Sequence, residues 1–315
     1  VKVAVIDRYG PPDVLRIVDA PLPKPGAGQV LVRVCAVAAT SADARIRGAR
    51  FPRGFAPFAR LMFGVFRPRR RVLGSSFSGV VQAVGPGVTG FQPGDAVCGM
   101  TGLKMGAYAE HVAIPAKKLV RKPDEVSHEE AAGLLFGGTT ALFFLRDKLK
   151  VASGSAVLIN GASGAIGTNA VQLARHLGAV VTGVTSGPNT ELVAELGVAR
   201  VIDYETEDLA QCNDRFDAVL DTVGNLSIRS GRRLLSESGL LALVVADLPE
   251  MVRARGNVVA GTATERVEDI EFLLSLAAAG ELKVVIDHAY DLSEVAEAHA
   301  RIDSGRKVGN VVMRL

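Results

Sequence analysis

One stretch, Ala156 to Gly178, AVLINGASGAIGTNAVQLARHLG, limits what this chain can fold into more than any other. Its opening residues, Ala156 to Ile159, are apolar and β-prone enough for a strand buried on both faces, the condition of a parallel sheet. Gly161, Gly164 and Gly167 then punctuate a turn. From Ile166 onward, Ala170, Val171, Leu173, Ala174 and Leu177 share one helical face, and Gly178 stands where a C-terminal cap belongs. Strand, glycine turn and helix in immediate succession let bare backbone approach a pyrophosphate, whose charge meets free N–H groups and the positive end of the helix dipole. Gly161, Ala162, Ser163, Gly164, Ala165, Ile166 and Gly167 are therefore candidate cofactor-binding residues.

A glycine triplet spaced G-x-x-G-x-x-G is a weak signal alone, and its surroundings strengthen it. A second strand follows at Ala179 to Val184, then a helix with Leu192, Val193 and Leu196 on one face and Gly197 as its stop, then a third strand at Arg200 to Asp203. This is a βαβαβ unit. The alternation continues through a strand at Asp217 to Thr222, a basic helix near Ile228 to Leu235, a strand at Leu240 to Val245 and a sixth strand at Asn257 to Gly261, which predicts a doubly wound parallel sheet. The end of the second strand carries cofactor information. NAD-binding units place a carboxylate there to hold the ribose hydroxyls and repel a 2′-phosphate. Here the residues are Thr185, Ser186, Gly187, Pro188 and Asn189, with no acid before Glu191, and NADPH is the expected cofactor.

The chain before Pro123 reads differently. Gln29 to Ala39 is a long strand apolar on most of both faces, and glycines recur among short β-forming runs between Gly74 and Pro115, as in a compact, irregular β-rich domain. Between these lies Arg50 to Arg71, holding Phe51, Phe55, Phe58, Phe63 and Phe66 among several arginines. It reads as a loop with tucked aromatics, as a flap lining an apolar substrate pocket through Phe51, Phe63 and Phe66, or as a membrane-surface or nucleic-acid patch. Ser127 and Glu130 form a capping box ahead of a helix. Helices near Asp269 to Ala279 and Ser293 to Ile302 precede a last strand, Val308 to Met313, expected to return to the N-terminal β domain.

A length of 315 residues, 48% of them apolar, suits two domains with sizeable cores. The net charge of +3 gives no global field that would argue for nucleic acid or a membrane as partner. Cys35, Cys98 and Cys212, odd in number and far apart, read as free thiols in a reducing compartment. Lys2, Asp7 and Arg8 interrupt any apolar leader, so the expectation is a cytoplasmic protein.

The order of these parts resembles the medium-chain dehydrogenase/reductase superfamily, within it the zinc-free quinone oxidoreductase branch that includes zeta-crystallin. The resemblance spans nearly the whole chain and rests on GVVQAVGPGVTGFQPGDAVCG (Gly79 to Gly99), GAYAEHVAIP (Gly106 to Pro115), GGTTAL (Gly137 to Leu142), NGASGAIGTNAVQLA (Asn160 to Ala174) and LGVARVIDY (Leu196 to Tyr204). It implies an α/β fold: a GroES-like β-rich catalytic domain at residues 1–122 and 263–315, and a doubly wound parallel Rossmann domain at 123–262, with the active site in the cleft between them. It also implies that Thr139, Thr185, Ser186, Asn189, Tyr204, Val223 and Gly224 line the dinucleotide site, and that Thr40 lies near nicotinamide and substrate as a candidate catalytic residue.

Departures from the family sharpen the expectation. Where zinc alcohol dehydrogenases have a catalytic Cys before an Asp, and a Gly-His-Glu motif, this chain has Thr40 ahead of Asp43, and Gly74-Ser75-Ser76; the four-cysteine zinc lobe is missing too. No metal is expected. Relatives often carry an arginine where Pro188 stands, a tyrosine in the segment of Phe51, and a lysine where Asn310 stands; the first of these holds the NADPH preference to about tenfold. The expected activity is NADPH-dependent reduction of a quinone or α,β-unsaturated carbonyl by a homodimer, without nucleic acid or membrane as partner. The alternatives are an enoyl-thioester reductase and a non-catalytic NADPH-binding protein of the crystallin or RNA-associated kind.

Overall fold

The computed structural model describes residues 1–315, and the chain divides into two units. Residues 1–51, 56–136 and 265–315 form the first, residues 52–55 and 137–264 the second. In chain order the first unit contributes β1 Lys2–Ile6, β2 Leu15–Asp19, β3 Gln29–Ala39, α1 Ser41–Gly48, α2 Ala56–Phe63, β4 Ser76–Val84, β5 Ala96–Met100, β6 His111–Pro115, β7 Leu119–Arg121 and the opening of α3 His128–Leu142. The second holds β8 Ala156–Asn160, α4 Ala165–His176, β9 Val180–Thr185, α5 Thr190–Glu195, β10 Arg200–Asp203, β11 Phe216–Asp221, α6 Ile228–Arg232, β12 Leu235–Leu243, α7 Leu248–Arg253 and β13 Val258–Ala260. The chain then rejoins the first unit with α8 Val267–Ala278, β14 Ile286–Asp291, α9 Val295–Asp303 and β15 Asn310–Arg314.

The first unit is built on β3. Most of its side chains are buried on both faces, as its apolar run requires, because it pairs antiparallel with β4, β6 and β15. The last strand therefore does return to the N-terminal domain, with Val311 opposite Ala39. A seven-stranded sheet, ordered β14-β15-β3-β4-β5-β7 with β6 off that path and paired to β3, surrounds a core that includes Val32, Val34, Phe77, Tyr108, Ile114 and Val311.

In the second unit six parallel strands run in the order β10-β9-β8-β11-β12-β13. The doubly wound sheet predicted from the alternation is present. Leu158, Val184, Val219, Leu241 and Leu243 make its core, and the strand carrying the glycine turn, β8, lies at the centre, where the order of connections reverses.

Three elements differ from the sequence reading. The first division falls between Phe136 and Gly137, inside α3, rather than at 122/123. The opening of α3 is held within the first unit: Arg314 Nε donates to Glu129 Oε1 at 2.9 Å, and Ser78 Oγ lies 2.7 Å from His128 Nδ1. Strand β12 starts at Leu235, not Leu240, because a register shift against β11 puts Leu235 opposite Phe216 and Leu240 opposite Ala218. Within Arg50 to Arg71 there is a helix, α2, where a loop was the simplest reading.

Candidate active site

The three glycines of the β8–α4 turn are required for different reasons. Gly161 has φ +85, and a Cβ there would stand 2.6 Å from Thr222 Oγ1. A Cβ on Gly167 would meet the Gly161 carbonyl oxygen at 2.0 Å, so that glycine lets α4 lie directly against the strand end. Gly164 is neither strained nor crowded. It caps α4 with φ −78 and ψ 173, and a Cβ there would find only Gly161 O, at 3.4 Å. Protein packing does not explain a glycine at this place. The space it leaves open faces the first turn of α4, where the N–H groups of Ala165, Ile166 and Gly167 have no carbonyl one turn back to bond. Free amides and open space of this kind fit the pyrophosphate of the dinucleotide that the fold implies. The base of the turn is fixed by Gly161 N and Ala162 N, which donate to Val184 O at 3.1 and 2.9 Å. Close packing continues behind it, since a Cβ on Gly137 would lie 2.3 Å from Ala165 O.

Around the turn, Thr185 Oγ1 donates to Ser163 Oγ at 2.8 Å, and Asn189 Nδ2 reaches Ser186 Oγ at 3.1 Å and Ser163 Oγ at 3.4 Å. Thr185 and Thr139 are both buried, so Thr185 acts through Ser163. Ser163, Ser186 and Asn189 stay partly open, and Tyr204 and Val223 are exposed. Sequence reasoning missed two features here. Asp221, fully buried at the end of β11, accepts from Asn160 Nδ2, Val223 N, Gly224 N and Leu226 N at 2.9 to 3.1 Å, and so shapes the turn that presents Val223 and Gly224. The second is acidic. Asp203 pairs in register with Thr185, and Glu205 Oε2 accepts from Gly187 N at 3.3 Å. A Cβ on Gly187 would lie 3.1 Å from Asp203 Oδ2 and 3.3 Å from Glu205 Oε2. The carboxylates absent after β9 in sequence are thus supplied by the neighbouring strand.

In the first unit Thr40 closes β3 and caps α1. Its hydroxyl donates to Asp43 Oδ2 at 2.6 Å and accepts from Asp43 N at 3.2 Å, while Thr40 N donates to the same carboxylate at 2.9 Å. Gly74 N donates to Asp43 Oδ1 at 3.1 Å, and the Tyr108 phenol lies near enough to act on the same carboxylate. Asp43 is wholly buried; desolvation raises its pKa against the pull of these hydrogen bonds. Burial also raises the Tyr108 phenol, with Asp43 acting in the same direction. The Tyr108 hydroxyl shares a hydrogen bond with His299 Nε2, 3.1 Å away. His299 Nδ1 is buried and without a hydrogen-bond partner. Thr40 is held by the buried Asp43, and its own proton is engaged inward. Beside it the buried Arg47 ion-pairs with Asp303, which also holds Arg50.

The aromatic residues expected around a substrate divide. Phe51 stacks on Phe63 with ring centroids 6.1 Å apart, and Phe63 is buried in the core; Phe66 stands apart and exposed. Asn310 is also spent structurally, its amide donating to Val285 O at 3.0 Å, while Lys307 Nζ nearby donates to Gly309 O at 2.8 Å. A zinc ion does not fit the residues present. Thr40 and Ser75 stand in the ligand places, Thr40 is committed to Asp43, and no three His, Cys, Asp or Glu side chains converge anywhere in the chain. The three cysteines are free thiols, and burial pushes that of Cys98 up to about 12.

Two outcomes follow from this geometry. Gly164→Val should abolish dinucleotide binding in calorimetry with little change in melting temperature, whereas Gly167→Ala should cost about 1–3 kcal/mol of stability by forcing α4 off the strand end. Equal binding by Gly164→Val and parent would refute the fit of this turn to a pyrophosphate. Burial lowers the His299 pKa from 6.5 to about 3, so the unfolded chain takes up the extra proton first; its contribution is full above pH 6.5 and is lost as pH falls toward 3. Asp43, raised in the fold, contributes with the opposite sign. Denaturant midpoints should thus fall less steeply on acidification in His299→Gln than in the parent; identical slopes would refute a neutral buried His299.

Comparison with known proteins agrees with this architecture. Residues 26–124 match the family model of the alcohol dehydrogenase GroES-like domain, and residues 196–313 that of zinc-binding dehydrogenases. A 2-haloacrylate reductase from a Burkholderia species is 30% identical over 340 aligned positions, covering 99% of this chain and 98% of the relative. The structure of the quinone oxidoreductase from Coxiella burnetii superposes with a TM-score of 0.89 at 28% identity, covering 100% of this chain and 99% of that one. A mycobacterial protein solved in complex with NADPH superposes with a TM-score of 0.83 at 28% identity, each chain covered over 100%. With both family models matched and the GroES-like and Rossmann-like architecture in place, the chain belongs to the medium-chain dehydrogenase/reductase superfamily, as an oxidoreductase with quinone oxidoreductases among its relatives.

Proposed function

We propose that this chain passes hydride from NADPH to a quinone or an α,β-unsaturated carbonyl, without a metal. The observation that carries the reading is Gly164, open above and uncrowded below, at the first turn of α4. The bound dinucleotide would supply the hydride; the chain's residues bind and orient. Amides at Ala165, Ile166 and Gly167 would receive the pyrophosphate, and Ser163, Ser186 and Asn189 the adenosine end, with Tyr204 as a wall. Thr40 would keep a fixed orientation beside the acceptor through Asp43. An acceptor of this class takes hydride at carbon without a Lewis acid, in keeping with Thr40 and Ser75 in the ligand places. The relatives named quinone oxidoreductase and 2-haloacrylate reductase support the same class.

The choice of NADPH rests on the missing carboxylate after β9 and on the mycobacterial neighbour solved with NADPH. Asp203 and Glu205 work against it, since a 2′-phosphate beside Gly187 would meet both, and no arginine follows at Pro188. The preference over NADH is accordingly about tenfold or less, equivalent to about 1.4 kcal/mol. The reading further includes a cytoplasmic location and a homodimer joined through β13, the edge strand of the six-stranded sheet.

Oxidation of NADPH by a simple benzoquinone or a conjugated enone, in the presence of a chelator, tests the activity. Turnover is expected to persist; no oxidation with any such acceptor, or zinc released in step with lost activity, would overturn it. Glu205→Gln should raise the kcat/KM ratio of NADPH over NADH several-fold, whereas a parent that clearly prefers NADH would show the cofactor misassigned. Sedimentation at micromolar concentration should give a dimer, and monomer alone would reject the β13 contact.

A further inference from the structure

Between Asp43 and Asp95 the chain contains nine arginines and no acidic residue, and the same region carries its most exposed large apolar side chain, Phe66. Helix α2 is anchored through Ala59 and Phe63, which pack on the core of the first unit. Its other stripe, Phe58, Leu61 and Met62, spaced as neighbours on one helical face, is 64, 65 and 56% exposed. Just past the helix end Val65 and Phe66 are exposed as well, Phe66 by 94%. Its exposure is built in. Arg69 N donates to Phe63 O and the Tyr9 hydroxyl to Gly64 O, both at 2.7 Å, and Arg60 Nη1 donates to Val65 O at 2.8 Å. Gly64, at φ +118, admits no Cβ, which would lie 2.0 Å from Arg67 O. A tight, hydrogen-bonded turn thus holds Phe66 outward. Directly after it come Arg67, Arg69 and Arg70, all exposed and without an ion pair, whereas Asp7, the partner of the adjoining Arg71, is shared with Arg16.

We propose that this face, Phe58, Leu61, Met62, Val65 and Phe66 rimmed by Arg67, Arg69 and Arg70, docks the protein on an anionic phospholipid bilayer. An apolar stripe beside unpaired arginines matches the boundary between acyl chains and negative headgroups. The alternatives fit less well. A second copy meeting this face across a two-fold axis would set its arginines against their own copies. Nucleic acid would engage the arginines yet leave Leu61, Met62 and Val65, which offer no plane for stacking, in water. The proposal stands on observations separate from the dinucleotide site and revises the expectation that no membrane is a partner. No helix of the chain is long and apolar enough to cross one, so the contact proposed is peripheral.

Co-sedimentation of the full chain with phosphatidylcholine vesicles holding about 30 mol% phosphatidylglycerol tests it at about 0.1 M salt, where attraction between surface charges still operates. We expect at least about tenfold more protein bound than on pure phosphatidylcholine, release at about 1 M salt, and loss of binding in Phe66→Ser and in Arg67→Gln/Arg69→Gln/Arg70→Gln, both with parental circular dichroism. Arg229→Gln/Arg253→Gln, on the second unit, should bind as the parent does. Failure to bind, equal binding to neutral vesicles, or loss in the second-unit variant alone overturns the proposal. So does self-association, or binding of a duplex oligonucleotide, that Phe66→Ser abolishes while vesicle binding persists. Vesicle binding needs no turnover, so its outcome is independent of the proposed reaction.

Discussion

Close approach of backbone to backbone at the β8–α4 turn is the constraint on which the second unit depends. Gly167 brings α4 to within van der Waals distance of the Gly161 carbonyl, Gly137 does the same for α3 against Ala165, and Gly161 makes the left-handed bend between them. A side chain at Gly167 would push α4 off the strand end, one at Gly137 would part α3 from α4, and one at Gly161 would strike Thr222 and Val223. Gly164 differs because nothing in the protein needs it to be glycine. The first three glycines serve packing, and the fourth leaves open space at the first turn of α4.

A second constraint, electrostatic rather than steric, orders the first unit. Asp43 is removed from water entirely and satisfied by Thr40 N, the Thr40 hydroxyl and Gly74 N. A buried carboxylate with fewer donors would be costly, so these partners must assemble together: the end of β3, the start of α1 and the chain before β4. Tyr108, which acts on the same carboxylate, is itself tied to His299 on α9, far away in sequence. Thr40 inherits its position from this assembly, which holds the end of β3 rigid.

Much of this was legible in the sequence, and the limits have physical causes. The β/α alternation shows because strands buried on both faces must be nearly all apolar and helices end at glycines such as Gly178 and Gly197. The Ser127–Glu130 box shows because capping is local, and both its hydrogen bonds are present. What stayed hidden depends on contacts between distant positions. Asp203 reaches the turn after β9 only through the parallel register that sets it beside Thr185. Asp221 looks like an ordinary strand end until four donors are found around it. Helix α2 was obscured by the glycines and prolines around it, and the stacking of Phe51 on the buried Phe63 joins positions twelve residues apart. Where a residue's role is fixed by neighbours along the chain, the sequence carries it; where it is fixed across sheets, only the fold does.

A crystal structure of the chain grown with NADPH would test the central claim most directly. The account requires the pyrophosphate over Gly164, within hydrogen-bond distance of the amides at Ala165 to Gly167, and the adenosine end beside Ser186 with Glu205 withdrawn from Gly187 N. A dinucleotide bound elsewhere, or a turn that stays empty at saturating cofactor, would contradict it.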